Sequence, residues 1–285
     1  VVSRLFRHRS ASATTALLLA LSLFVSACST TETLSPAPDP VPLPEKYAAI
    51  VVDGGGRTLY AVNSEELRYP ASLTKMMTLY MLFEALQSGK LSTSSQLSVS
   101  AYAASRPPSK LGVKAGDSIA IDTAIRALAV KSANDVATVV AENLSGSEEA
   151  FGRAMTAKAR EIGMSRTTFR NASGLPDSAQ VTTAKDMAVL SLRLRQRFPQ
   201  YYSYFSLREF TVDGKTVRGH NRALDMIEGA DGIKTGYTRA SGFNLATSVR
   251  HRGKTIVGVV LGEDSSRQRD ERMARLIRTY ISRAQ

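Results

Sequence analysis

The sequence predicts an α+β fold, an antiparallel sheet flanked by helices with an all-helical insertion between its two parts. Three observations carry this expectation. Two short β-rich apolar runs, 47–52 and 58–62, open the foldable part of the chain. A long stretch of helical periodicity follows, and strand signals return from about residue 204 before a last amphipathic segment closes the chain.

The elements follow in order. Residues 1–27 read as a secretory signal peptide: Arg4, Arg7 and Arg9 make a basic start, 16–25 is an apolar run, and Ser26 and Ala27 are small residues at a cleavage point. The run is too short to span a bilayer, and the arginines are not paired as in a twin-arginine signal. Val25-Ser26-Ala27-Cys28 resembles the bacterial lipobox, in which the cysteine becomes the lipid-modified first residue of the mature protein. The alternative is plain cleavage after Ala27, which leaves a stray thiol. Lipidation is preferred because Cys28 is the only cysteine, so no disulfide forms within the chain, and an isolated free thiol is an odd thing to export. Val1 fits an alternative bacterial start codon read literally. The expected location is the bacterial periplasm or cell envelope, with a membrane contact through the lipid.

Residues 28–45 are rich in Ser, Thr and Pro, with prolines at 36, 38, 40, 42 and 44, and should form an extended tether. The folded domain is expected over 46–285. Asp53-Gly54-Gly55-Gly56 reads as a hairpin loop; no Gly-Lys-Ser/Thr follows it, so a phosphate loop is rejected. Helices are expected at 74–86 (ended by Gly89), 123–130, 134–144, 148–162 and 184–194, within an insertion spanning roughly 71–200. Strands are expected at 209–212, 216–218, 243–249 and 255–261, with turns at Gly214 and Gly253. The segment 265–281 carries Met273, Leu276, Ile277, Tyr280 and Ile281 at helical spacing. Its arginines suggest a membrane-surface helix, but packing on the sheet is preferred because strands lead straight into it.

Composition narrows the function. A hydrophobic share of 43% suits a chain with a globular core, and 22% charged residues argue against general disorder. The net charge is +12; without residues 1–27 it is +9, from 34 basic and 25 acidic residues. No dense Lys/Arg run and no stacking-aromatic motif accompanies that charge, so nucleic acid is not an expected partner.

The chemistry-bearing residues lie in three short motifs. Ser72 and Lys75 are three apart at a helix start, so the lysine amine can reach the serine hydroxyl, which sits at the positive end of the helix dipole. A free lysine is neutral in only about one part in two thousand at pH 7. To act as a base it must be desolvated or repelled, and a shift of roughly three units corresponds to ~4 kcal/mol. Lys234 is the cation available to repel it. Taken alone, Ser72 reads as a helix cap and Lys75 as a surface lysine. Other ways of activating a serine are poor here: beyond His8 only His220 and His251 remain, and there is no G-x-S-x-G elbow, H-E-x-x-H or Cys/His cluster. No cofactor or metal is expected.

Ser72-Leu73-Thr74-Lys75, Ser132-Ala133-Asn134 and Lys234-Thr235-Gly236, in that order, form the signature of active-site-serine enzymes acting on penicillin and D-Ala-D-Ala peptides. With Pro107-Pro108-Ser109-Lys110, Gly116-Asp117, Phe169-x-Asn171-x-x-Gly174-Leu175 and Thr183-Ala184-x-Asp186-Met187-Ala188, the chain from about Tyr47 onward resembles the low-molecular-mass penicillin-binding proteins, the serine-type D-Ala-D-Ala carboxypeptidases. The resemblance implies a serine β-lactamase/penicillin-binding-protein-like fold. It also implies removal of the terminal D-Ala from peptidoglycan stem peptides ending in D-Ala-D-Ala, with β-lactams as covalent inhibitors. Implied roles are nucleophile for Ser72, base for Lys75 and proton relay for Ser132. Asn134 would hold the peptide amide, and Lys234 and Thr235 the terminal carboxylate. Gly236 would let the substrate backbone lie close, and the Ser72 and Tyr237 amides would form the oxyanion hole.

Two departures stand out. Many relatives continue into a β-rich second domain and a membrane-surface helix, whereas this sequence stops at Gln285, for which a lipid on Cys28 would compensate. Some relatives also place a basic residue ahead of the Lys-Thr-Gly strand; here that segment is Gly219-His220-Asn221-Arg222, leaving His220 or Arg222 for the part and Asn221 to shape the loop. An endopeptidase of wall cross-links is the alternative within the family. A β-lactamase would need a carboxylate near 166–172, where there is none. A non-catalytic wall-binding lipoprotein would predict broken motifs.

Overall fold

Strands from both ends of the chain form one five-stranded antiparallel sheet in the computed structural model, which describes residues 42–284. The expected signal peptide, Cys28 and most of the tether lie outside the described residues.

In β1 (Ala48–Asp53) all six residues are buried, because helices cover both faces of the sheet. Ala48, Ile50 and Val52 point into the larger core, and Ala49 and Val51 into the smaller one. The hairpin to β2 (Thr58–Val62) is closed by the Asp53 carboxylate, which accepts from the Gly55 and Arg57 amides at 3.1 and 2.9 Å.

A 3-10 turn, Ala71–Thr74, then leads into α1 (Lys75–Gln87) at the centre of the larger core. A ribbon of β3 (Gln96–Ser98) and β4 (Ser118–Ala120) brackets α2 (Ala101–Ala104). α3 (Ile121–Arg126) runs into a π-helical turn, Ala127–Lys131, where one regular helix was expected. Next come α4 (Asn134–Ser145), α5 (Glu148–Glu161) and α6 (Ala184–Arg197), the last two capped by Ser147 and Thr183.

The chain returns through the hairpin β5 (Glu209–Val212) and β6 (Lys215–Arg218) and the short α7 (Ala223–Met226). It then enters β7 (Ala230–Thr238), β8 (Gly242–His251) and β9 (Lys254–Glu263). The strand order is β2-β1-β9-β8-β7, so β7 is an edge. α8 (Ser266–Tyr280) packs Met273, Leu276, Ile277 and Tyr280 on the second face of the sheet. The contact is so close that a Cβ on Gly258 would lie 2.6 Å from the Met273 sulfur. Arg272 of this helix is fully buried, bonded to the equally buried Glu263 and, at 3.1 Å, to the Pro42 carbonyl. No helix among the described residues is long and apolar enough to cross a membrane.

Candidate active site

The turn carrying Ser72 is held in an uncommon backbone state. Ala71 has φ +48° and Ser132 φ +61°, left-handed values that non-glycine residues rarely adopt outside turns. Ser72 caps no helix: the cap positions of the turn and of α1 are Pro70 and Thr74, and neither makes a side-chain capping bond. Gly174 presses on this turn from the loop before α6. Its φ is +84°, and a Cβ there would stand 1.8 Å from the Ala71 carbonyl oxygen. Asn171 braces that loop, its Oδ1 accepting from the Gly174 amide at 2.7 Å and its Nδ2 donating to the Leu175 carbonyl at 3.0 Å.

Lys75 is fully buried. Its Nζ donates to Ser72 Oγ at 3.1 Å, Asn134 Oδ1 at 2.7 Å and the Ser173 carbonyl at 2.5 Å. Burial and then the charge of Lys234 push it well below the usual lysine value, while Glu148 and Asp135 pull it back up. The lysines of the first and third motifs thus meet in one field, with Lys234 the neighbour that repels the Lys75 charge.

Ser132 ends the π-helical turn, and its buried Oγ has no hydrogen-bond partner among the described residues. Asn134 opens α4 and is engaged at both ends of its amide, since Nδ2 donates to the Pro107 carbonyl at 3.0 Å. The Asn134 Oδ1 keeps a second lone pair for another donor. Next to it, the Asp135 carboxylate gathers the amides of Leu111, Gly112 and Val113.

Lys234, Thr235, Gly236 and Tyr237 lie along β7, paired with β8 on one side only. Lys234 is buried, donates to the Thr235 carbonyl at 2.9 Å, and is pushed down to about 7 by burial and by Arg269. A Cβ on Gly236 would be 3.0 Å from the Ser72 amide nitrogen and 3.2 Å from that of Leu73. The glycine therefore lets the strand approach the serine turn; the side of Gly236 that a side chain would occupy faces this turn. Tyr237 is 55% exposed and stacks on Phe243, with ring centroids 4.2 Å apart.

These residues meet in a cleft of about 610 Å³ lined by Ser72, Ser132, Asn134, Thr235, Gly236 and Tyr237, among others. No Asp or Glu is among its lining residues, whereas His220, Arg222 and Arg269 are. His220 is held below its usual value by burial, Lys234 and Lys131; Arg222 also lines the cleft, and Arg269 lines it while buried and paired with Asp270 at 2.7 Å. Sequence reasoning missed Arg269 and Phe243, since neither lies in a motif and only folding brings α8 and β8 to the cleft. Both side-chain amide atoms of Asn221 lack partners among the described residues, and its carbonyl accepts from the Leu224 amide.

Residues 40–265 match the family described as D-alanyl-D-alanine carboxypeptidase. The chain belongs to the D-alanyl-D-alanine carboxypeptidase family. It is 32% identical to the D-alanyl-D-alanine carboxypeptidase DacF of Bacillus subtilis, over 81% of this chain and 61% of that protein. Identity to DacD of Escherichia coli is 33%, over 78% and 59%. The chain thus spans about three fifths of the length of these family members. Among solved structures, the D-alanyl-D-alanine carboxypeptidase DacD of Francisella tularensis superposes with a TM-score of 0.80 at 29% identity, covering 89% of this chain and 75% of that one. Penicillin-Binding Protein D2 of Listeria monocytogenes, in its cefotaxime-bound form, gives 0.71 at 29%, covering 85% and 99%. The penicillin-binding-protein-like α+β fold is the one this family shares.

Proposed function

We propose that this protein is a serine-type D-alanyl-D-alanine carboxypeptidase that removes the terminal D-Ala from peptidoglycan stem peptides. The observation that carries the reading is the buried Lys75 amine 3.1 Å from Ser72 Oγ, its proton affinity lowered by burial and by Lys234. Neutral Lys75 takes the Ser72 proton as Oγ attacks the carbonyl of the penultimate D-Ala. The Ser72 and Tyr237 amides receive the oxyanion. The C–N bond then breaks, the proton passes through Ser132 to the leaving D-Ala, and water cleaves the Ser72 ester to release the shortened peptide. Asn134 holds the peptide amide with its remaining lone pair. Lys234 and Thr235, with the missed Arg269 nearby, receive the terminal carboxylate. The absence of carboxylates from the cleft lining and its cationic side chains support an anionic peptide end as ligand.

β-Lactams act in this reading as covalent inhibitors at Ser72, in line with the cefotaxime- and ampicillin-bound forms of the Listeria relative. The reading also keeps residues 1–27 as an export signal, 28–45 as a tether, 46–285 as the catalytic domain, and a lipid on Cys28 as the envelope anchor. Globomycin-sensitive processing of the full chain tests the lipid.

Incubation with a fluorescent penicillin, a D-Ala-D-Ala pentapeptide and a cross-linked dimer tests the activity. The expected results are a covalent adduct lost in Ser72→Ala and D-Ala release from the pentapeptide. No Ser72-dependent adduct would refute the assignment. Dimer cleavage without D-Ala release would move it to an endopeptidase, and rapid penicillin turnover to a β-lactamase.

A further inference from the structure

We propose that Glu148 is a positioning residue for this site, clamping from α5 the loop that carries Ser173, the helix that carries Asn134 and the 106–109 segment that holds Asn134, and supplying negative charge behind Lys75. The proposal rests on the acylating function assigned to Ser72.

Glu148 is 8% exposed and does not line the cleft. Its Oε1 accepts from the Ala172 amide and from Thr138 Oγ1, both at 3.2 Å. Its Oε2 accepts from Tyr102 Oη at 3.1 Å and pairs with Arg106 Nη1 at 3.6 Å. Each partner leads to the site. Ala172 precedes Ser173, whose carbonyl receives Lys75 Nζ. Thr138 lies one turn after Asn134 on α4. Arg106 precedes Pro107 and Ser109, whose carbonyls accept from the Asn134 side chain and backbone.

The clamp extends along one face of α5 at helical spacing. Glu148 holds Ala172, a Cβ on Gly152 would be 2.8 Å from the Arg170 carbonyl, and Thr156 Oγ1 bonds both the amide and the carbonyl of Phe169. The loop that reaches Lys75 is thus fastened at i, i+4 and i+8 of one helix. No carboxylate occurs within 166–172, but Glu148 binds that loop at Ala172, and Asp186 binds its start at Arg166 and Thr167.

The charged groups acting on Lys75 are Lys234 from β7, Asp135 from α4 and Glu148 from α5; those facing Glu148 are Arg106 and Tyr102 at α2. Glu148 and Asp135 oppose burial and Lys234, so removing the Glu148 charge favours neutral Lys75.

The test is the rate of labelling by fluorescent penicillin from about pH 5 to 10, with thermal unfolding alongside. Glu148→Gln keeps the shape and an acceptor oxygen, and should move the acid limb down by roughly half a unit or more. Arg106→Gln leaves the carboxylate unneutralised and should move it up. Opposed displacements support the proposal, and an unmoved limb in the folded variants overturns it, whatever happens to thermal stability. If Glu148→Gln does not fold, the Arg106→Gln displacement decides alone. Wild type that takes no label refutes the Ser72 assignment instead.

Discussion

The proposed reaction asks opposite protonation states of Lys75 and Lys234. As a base Lys75 must be neutral, and as a carboxylate clamp Lys234 must be charged, although burial lowers both. The activity of wild type should therefore follow a bell, its acid limb set by Lys75 losing its proton. Its alkaline limb should reflect Lys234 losing its own, at about 7 in the free enzyme. A pH profile of kcat/KM for D-Ala release checks this, and a profile rising steadily to alkaline pH would contradict it. Lys234→Gln should raise KM for the peptide at least about tenfold while leaving Ser72 labelling detectable, because truncating a charge-assisted contact costs about 1.5–3 kcal/mol. The motif residues were legible one by one because their chemistry depends on residue type and order. The sharing of Asn134 was not, since Pro107 approaches it only after the chain has folded.

Among the elements, the loop around Gly174 decides whether the serine turn holds its shape. Gly174→Ala would force a methyl into the Ala71 carbonyl from a left-handed backbone, and nothing flexible lies in the way to yield. Urea unfolding should show a loss of at least about 2 kcal/mol, with Ser72 labelling greatly slowed. Long periodic helices such as α4, α5 and α6 were readable to within a few residues, and so was the β8–β9 hairpin. The β3–β4 ribbon was not, because three-residue strands carry too little alternation to be seen. β7 was legible only at its Lys-Thr-Gly segment, since its glycines lower β propensity while close packing against the serine turn demands one of them. The π-helical turn before Ser132 has no sequence signal of its own.

For the whole molecule, the closing arginine-rich helix packs on the sheet, the placement preferred over a membrane-surface helix, and holds the second core together. Arg272 is buried on Glu263 and over the Tyr47 ring, 4.9 Å from its centroid, so it joins α8, the end of β9 and the start of β1. Arg272→Ala would remove one partner of a buried ion pair, and should lower stability by about 3–5 kcal/mol, read by urea or thermal unfolding.

The buried Lys75–Lys234 pair reaches further than catalysis. A lysine whose proton affinity falls on folding makes the native state bind fewer protons than the unfolded chain between the native value, about 7 for Lys234, and the ordinary value near 10.5. These two groups alone therefore make stability rise with pH across that interval and withhold it below, the reverse of an ordinary surface ion pair. Any small carboxylate that enters the cleft should raise the melting temperature, most strongly on the acid side, where both lysines hold their protons.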